Sequence, residues 1–229
     1  MEALREKTPF HCIITGPTNC GKTKYLTDQL RGPFRYVFEF IVLICPTYAK
    51  NKTYRKFAHG DKRFIVLSPD ASNLDEINEL LKTCAQLFSG TNTLIILDDC
   101  AVSKDLKQRS NKFIDLAFSG RHDGLSLWVL TQQLTSIAKP FRDNVACVVA
   151  FHNPSQIGTK TLFEDYAGDL DIETRKIFVK ALKTEKYSRI CFSMRFPCPK
   201  RIRKASILLI LFTVYYAYGH TTLSIPVLV

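Results

Sequence analysis

The fold of this chain is decided by the octapeptide Gly16-Pro17-Thr18-Asn19-Cys20-Gly21-Lys22-Thr23, which follows the apolar run His11-Cys12-Ile13-Ile14-Thr15. The octapeptide matches the phosphate-binding pattern G-x-x-x-x-G-K-T, and the run before it predicts a short buried strand. A helix-compatible segment, 24–30, follows the octapeptide. In such a strand–loop–helix unit the N–H groups of the loop and the helix N-terminus bind polyphosphate. The sequence therefore predicts a nucleoside triphosphate site that all eight loop residues form.

Individual side chains of this site have predictable roles. Lys22 is expected to reach the β- and γ-phosphates and Thr23 to ligate Mg²⁺. A second buried strand, 93–97, ends in Asp98-Asp99, and a strand of an open α/β sheet places ligand chemistry at that end. We expect Asp98 to complete the Mg²⁺ ligands and Asp99 to orient or deprotonate the attacking water. The cofactors predicted are therefore ATP and Mg²⁺.

A neutral amide completes the predicted catalytic set. Gln132 follows Thr131 at the end of the apolar strand 125–130, the next strand along the chain after the acidic pair. An amide there can hydrogen-bond both the γ-phosphate and the attacking water. The dipeptide alone is a weak signal, so its position on that strand carries the prediction.

Composition points to an intracellular protein with an anionic partner. The 229 residues carry a formal net charge of +11, from 32 Lys and Arg against 21 Asp and Glu. Such an excess favours nucleic acid as partner. Eight cysteines are scattered singly, which indicates reduced thiols in the cytoplasm or nucleus and no structural metal. The first residues lack a secretory signal, so we expect the chain not to be secreted.

Strands and helices alternate along the chain. Apolar runs predict strands at 11–15, 36–44, 64–67, 93–97, 125–130 and 145–151, with a late strand near 187–192. Helical spacing predicts helices after the octapeptide, at 74–88, behind a possible capping box at 72–75, at 105–118 and at 171–182. We interpret the basic stretch 47–63 as a solvent-exposed segment. The alternation predicts an α/β fold, a mostly parallel sheet with helices on both faces, within one domain, 1–196.

Further motifs resemble one superfamily of DNA-pumping enzymes. The run Gly120-Arg121-His122-Asp123-Gly124 leads through the strand 125–130 into Thr131-Gln132, and Asn153-Pro154 follows the last core strand. This order resembles the FtsK–HerA ATPases, and within them the poxvirus-type genome-packaging ATPases of large DNA viruses and of Maverick/Polinton and adintovirus elements. The resemblance covers about residues 8–156.

The resemblance implies an additional-strand, RecA/FtsK-like P-loop NTPase. It implies a homo-oligomeric ring that translocates double-stranded DNA, with capsid or portal components as possible partners and a virion-associated location if the chain is viral. Lys22, Asp99 and Gln132 then act in catalysis, and Arg121 or Arg142 is a candidate arginine finger for a neighbour's nucleotide. Many relatives carry Asp-Glu where this chain has Asp98-Asp99, so the base at Asp99 is one methylene shorter.

The C-terminal segment 197–229 differs in composition from the rest. A basic linker, 197–204, precedes an apolar tail, 205–229, that contains no Asp, Glu, Lys or Arg. Its solid apolar part is shorter than the roughly 20 residues of a membrane span. A membrane anchor, two edge strands and an artefact of the gene model remain open for this tail.

Two other function classes compete with the DNA motor. A small-molecule or nucleotide kinase shares the phosphate loop but needs an arginine-rich lid and an acceptor pocket. A non-hydrolysing ATP-binding assembly factor would keep the loop without turnover. Two interpretations of Cys20, inside the phosphate loop, also remain open. The helix N-terminus and Lys22 would lower the pKa of its thiol and make it reactive, whereas tight packing against the sheet would leave it inert.

Overall fold

The computed structural model describes residues 8–59, 61–70, 74–100, 112–184 and 187–194. Within these ranges the chain forms one seven-stranded sheet in the order β3-β2-β4-β5-β1-β6-β7. All neighbouring strands are parallel except β7, which runs antiparallel to β6. The strands are β1 Cys12–Thr15, β2 Phe40–Ile44, β3 Phe64–Leu67, β4 Thr93–Asp98, β5 Leu125–Thr131, β6 Cys147–Phe151 and β7 Arg189–Ser193.

Helices cover both faces of this sheet, as the alternation predicts. Along β1, Cys12 and Ile14 pack with one apolar cluster and Ile13 with the other, because successive side chains of a strand point to opposite faces. Helices α1 and α2 pack on the first cluster and α3 to α7 on the second. The helices are α1 Lys22–Arg31, α2 Lys52–Ala58, α3 Leu74–Leu87, α4 Lys112–Ser119, α5 Lys139–Asp143, α6 Gln156–Tyr166 and α7 Ile172–Thr184.

One strand is inserted between the phosphate-loop strand and the acidic strand. β5 pairs with β1 on one side and with β4 on the other. The additional-strand architecture and the mostly parallel α/β sheet are therefore confirmed. Because β4, β5 and β1 are parallel neighbours, their carboxyl ends lie together at one edge of the sheet.

The strand predicted at 36–44 is wrong at its start. β2 begins at Phe40, and the preceding residues form turns in which Phe34 and Phe38 are buried against the Trp128 ring, with centroids 5.1 and 6.0 Å apart. The Arg63 guanidinium donates hydrogen bonds to the carbonyls of Arg35 and Phe38, at 2.7 and 3.2 Å. The aromatic side chains therefore pack into the core without belonging to a strand. The Arg63 guanidinium, and not a neighbouring strand, binds the two backbone carbonyls.

The basic stretch 47–63 contains a helix, α2, that its composition did not predict. Asn51 caps α2, because its side chain accepts hydrogen bonds from the N–H groups of Thr53 and Tyr54. The exposure of its basic residues is confirmed for Lys52, Arg55 and Lys56, whereas Tyr54 and Phe57 are buried. Helices α5 and α6 are further elements that the sequence did not predict.

Some predictions fall outside the described residues. These are the capping residues 72–73, the first part of the helix predicted at 105–118, and the whole segment 197–229 with its division from the domain at 196. Among the helices that are described, none combines the length and the apolar character needed to cross a membrane.

Candidate active site

Three adjacent strands deliver the predicted site to one edge of the sheet. Thr15 pairs with Thr131, and the N–H of Gly16 donates to the Thr131 carbonyl at 3.1 Å. Asp98 is paired with Leu130 at the end of β4. The loop after β1, the acids after β4 and Gln132 after β5 therefore converge because the strands carrying them are hydrogen-bonded neighbours.

The phosphate loop owes its shape to residues in the left-handed region. Asn19 has φ 61° and Gly21 has φ 101°. Left-handed residues next to residues of ordinary backbone turn consecutive N–H groups toward one concavity, and such a concavity binds anions. Gly16 also has no room for a side chain, because a Cβ there would lie 2.7 Å from both Cys20 Sγ and Phe151 Cβ. Gly16 is thus required for lack of space, and Gly21 is favoured by its left-handed backbone.

The Lys22 ammonium is held at the loop. Its Nζ donates to the carbonyls of Gly16 at 2.7 Å and Pro17 at 2.9 Å, and its side chain is buried. A buried cation beside the loop attracts phosphate strongly, because burial weakens solvent screening. The geometry suits the role that the sequence predicts for Lys22.

Asp98 lies at the centre of a buried polar group. Its Oδ2 accepts a 2.7 Å hydrogen bond from the Tyr54 hydroxyl and lies 3.5 Å from Thr23 Oγ1. The carboxyl is only 3% exposed. Burial raises its pKa to about 6, the negative charge of Asp99 adds to that rise, and the Tyr54 hydrogen bond opposes it.

Asp99 is exposed and directed by a different partner. The Thr47 hydroxyl donates to its Oδ2 at 2.6 Å. Asp99 has φ 57°, a left-handed conformation that Asp and Asn tolerate better than longer side chains. This gives a physical reason for Asp at this position.

These groups line one open cleft of about 760 Å³. Its lining joins loop residues and the start of α1 to Asp98, Asp99 and Gln132, and none of the described residues that line it is an arginine. The residues that line it are Thr18, Asn19, Gly21, Lys22, Thr23, Lys24, Thr47, Lys50, Asn51, Lys52, Thr53, Asp98, Asp99, Gln132 and Tyr187.

The two candidate arginines lie away from this cleft. Arg121 is exposed in the turn before β5, so the seven-residue strand places it roughly 20 Å from Gln132. Arg142, on α5, forms an ion pair with Asp165 that leaves both side chains largely buried. Within one copy of the chain, neither guanidinium reaches the phosphate loop.

The interpretation of Cys20 as an acidic thiol is wrong. Burial raises the pKa of its thiol, and this effect outweighs the opposing charge of Lys22 and the backbone hydrogen bonds. The loop folds its Sγ inward, close to Gly16. Proximity to a helix N-terminus therefore does not make this thiol acidic, because the same geometry removes part of it from water.

Tyr54 and Thr47 are site residues that the sequence reading missed. Both lie in the basic stretch, and they contact the two aspartates from α2 and from the segment before it. The available signal was Asn51 followed by Tyr54 and Phe57, a cap with two apolar residues three positions apart.

The donor set fits a nucleoside triphosphate with Mg²⁺. The loop supplies N–H groups and Lys22 a cation for phosphate. Thr23 and Asp98 supply a hydroxyl and a carboxylate whose oxygens are 3.5 Å apart, and Mg²⁺ prefers oxygen ligands of this kind.

Comparison with known proteins now identifies the family. The family model described as Poxvirus A32 protein matches residues 2–163. The chain belongs to the Poxvirus A32 protein family. The match spans the phosphate loop, Asp98-Asp99 and Gln132, so the A32 family assignment rests on the segment that builds the cleft. No curated protein is similar enough to the chain to count as a significant match.

Solved structures share the fold of this A32 family member. B204, the DNA-packaging ATPase from Sulfolobus turreted icosahedral virus, has TM-score 0.61 and 15% identity over 80% of this chain and 92% of its own. The genome packaging NTPase B204 from Sulfolobus turreted icosahedral virus 2, in complex with ATP-gammaS, has TM-score 0.58 and 17% identity over the same shares. The pCW3 conjugation coupling protein TcpA has TM-score 0.50 and 14% identity over 84% of this chain and 59% of its own.

Proposed function

We propose that this chain hydrolyses ATP and uses the energy to move double-stranded DNA, as the genome-packaging motor of a virus or a virus-like mobile element. The observation that carries the proposal is the approach of Thr23 to Asp98, with oxygens 3.5 Å apart beside the Lys22 ammonium. P-loop enzymes transfer phosphoryl groups with this arrangement: a phosphate loop, a hydroxyl and a buried carboxylate at the ends of neighbouring strands.

Binding of the triphosphate rests on the loop. Its N–H groups and the N-terminus of α1 hold the phosphates, and Lys22 neutralises the β- and γ-phosphate oxygens. Gln132 lines the cleft beside Gly16, and its amide would hydrogen-bond the γ-phosphate. In this enzyme class positioning and charge neutralisation provide most of the catalysis.

Thr23 and Asp98 would hold Mg²⁺. The bound metal neutralises charge that develops on the phosphate oxygens. Tyr54 keeps Asp98 directed toward Thr23, and its hydrogen bond favours the ionised carboxylate that a metal requires. This hydrogen bond thereby offsets part of the rise in the Asp98 pKa that burial causes.

Asp99 is the proposed base that acts on water. Its carboxylate is exposed at the mouth of the cleft, and the Thr47 hydroxyl fixes one of its oxygens. The other oxygen can orient an attacking water molecule or accept its proton. General bases of this kind contribute about 10² to 10⁴ in rate.

Double-stranded DNA is the proposed partner. The chain belongs to the Poxvirus A32 protein family, and B204, whose fold it shares, is a DNA-packaging ATPase. The net charge of +11 supports an anionic polymer as partner. A ring of identical subunits would let Arg121 or Arg142 reach a neighbour's nucleotide, and capsid or portal components would receive the motor. The site of action would be the cytoplasm or nucleus.

The alternatives have less support. A nucleotide kinase uses arginines of a lid over the phosphates, and the described cleft is lined by lysines without arginine. A non-hydrolysing assembly factor has no need for Asp99 and Gln132 at the cleft. Turnover distinguishes this second alternative from the motor.

The test is Mg²⁺-dependent phosphate release with and without double-stranded DNA. We expect DNA to stimulate the rate, and we expect DNA affinity to fall steeply with salt and to be independent of sequence, because phosphate contacts release counterions. Lys22→Ala should abolish turnover, whereas Lys62→Ala, which changes an exposed lysine outside the cleft, should not. DNA-independent phosphoryl transfer to a small molecule would favour a kinase, and ATP binding without turnover would favour an assembly factor.

A further inference from the structure

The order of the strands fixes the direction in which a nucleotide would lie. This argument rests on the proposed function. Asp98 ends β4 and Gln132 follows β5, and both strands lie on one side of β1, so the γ-phosphate must point to that side. The loop after β1 holds the middle of the phosphate chain. The ribose and base must therefore leave on the other side of β1, toward β6 and β7.

A second cavity lies on that side. It has a volume of about 380 Å³ and shares Thr18, Asn19 and Tyr187 with the cleft. Its remaining lining comes from the loop, the end of β6, the end of α7 and the start of β7, namely Pro17, Cys20, Phe151, His152, Leu182, Lys183 and Ser188. The two cavities are therefore continuous around the phosphate loop.

Tyr187 lies between the two cavities and against the loop. A Cβ at Gly21 would lie 2.8 Å from its Cδ1, so the ring occupies the space that a side chain at Gly21 would need. The Tyr187 side chain is nevertheless 42% exposed. One part of the ring thus contacts the loop, and another part is exposed to solvent.

Packing fixes the start of β7 at this place. β7 is hydrogen-bonded along β6, with Phe151 opposite Arg189. The Arg189 guanidinium lies over the Tyr25 ring at 4.6 Å, and Tyr25 meets Phe151 edge to face at 6.2 Å. Tyr25 belongs to the helix that starts at the loop, so the position of Tyr187 is tied to the phosphate loop itself.

We propose that this second cavity is the base subsite and that the Tyr187 ring stacks on the nucleobase of the bound triphosphate. An aromatic face recognises a flat base by stacking, whatever the identity of the base. The subsite would therefore distinguish nucleoside triphosphates from inorganic polyphosphate. Tyr187 is the residue that provides this selectivity.

The experiment compares ATP with inorganic tripolyphosphate, which fills the loop but has no base. Affinities of both Mg²⁺ complexes are measured by calorimetry for the wild-type chain, Tyr187→Ala and Tyr187→Phe. Tyr36→Ala is the matched control, because Tyr36 is an exposed tyrosine outside both cavities. We expect Tyr187→Ala to weaken ATP binding by about tenfold and Tyr187→Phe to restore it, since stacking needs only the ring. Tripolyphosphate binding should not change in any variant.

Three results would overturn the base subsite. The first is a wild-type chain that binds ATP no more tightly than tripolyphosphate. The second is an equal loss of both ligands in Tyr187→Ala, which would mean that the ring only supports the loop. The third is a Tyr187→Phe variant as weak as Tyr187→Ala. Because binding is measured without turnover, a chain that binds ATP by its base but never hydrolyses it would contradict the proposed function and leave the subsite standing.

Discussion

The Tyr54 hydroxyl donates a 2.7 Å hydrogen bond to Oδ2 of Asp98, across 44 residues of sequence. Tyr54 is fully buried, so this bond links the core side of α2 to the predicted metal ligand. The same oxygen lies 3.5 Å from Thr23 Oγ1. Tyr54 is therefore a positioning residue that acts on the metal site through Asp98.

Tyr54→Phe should weaken activation by Mg²⁺ about tenfold, as is typical when a partner of a metal ligand is removed. The Tyr54 hydrogen bond lowers the pKa of Asp98, so its loss should raise that pKa further and shift the acidic limb of the pH–rate profile to higher pH. Tyr166→Phe, which removes a hydroxyl bonded to the Arg142 carbonyl, is the matched control. An unchanged pH profile in Tyr54→Phe would contradict the role of this hydroxyl.

Asp98 should reduce the stability of the metal-free protein at neutral pH. Its pKa is about 6 in the fold against 3.8 for a free carboxyl, so the unfolded chain releases this proton first as the pH rises. Stability is therefore lost between about pH 4 and 6. Asp98→Asn should remove this loss. Its free energy of unfolding should then exceed that of the wild type by about 3 kcal/mol once the pH is above about 6. Urea unfolding without Mg²⁺ measures the difference, with Asp169→Asn, which changes an exposed aspartate outside the cleft, as control.

Asp99→Asn should spare ATP binding and reduce hydrolysis by about a hundredfold, the effect of losing a general base. Asn tolerates the left-handed backbone at this position, so the fold should not change. Thr47→Val should reduce hydrolysis less, because it removes only the hydroxyl that directs the carboxylate, and Thr47→Ser should behave as the wild type. Near-normal turnover in Asp99→Asn would place the base elsewhere.

Alanine variants of the two candidate fingers should differ in their free energy of unfolding. Arg142→Ala leaves Asp165 without its largely buried partner, so we expect a loss of about 1–3 kcal/mol, whereas the exposed Arg121→Ala should be neutral. Thermal unfolding measures both.

Arg121→Ala is thus the cleaner test of a finger in trans. Mixed with Lys22→Ala, it should recover some activity, because some interfaces would pair an intact loop with an intact finger. Strictly additive activity would exclude Arg121 as a finger in trans.

Parts of the site could be predicted because their signals are local. Lys22, Thr23 and Asp98 lie in short segments whose spacing reflects a strand, a loop and a helix start. Tyr54 and Thr47 could not be assigned, because their partners lie 44 and 52 residues away. The error at Cys20 has a related cause: sequence gives proximity to a helix N-terminus, but burial is a property of the folded loop.

The sequence by itself determined the alternation of buried strands and helices, the phosphate loop and the acids that follow β4, because these features depend on contacts between near neighbours in the chain. Only the tertiary structure decided that α2 directs Asp98 and that Tyr187 lies against Gly21. The physical reason is that these relationships arise from strand pairing and side-chain packing between distant segments, which no local pattern encodes.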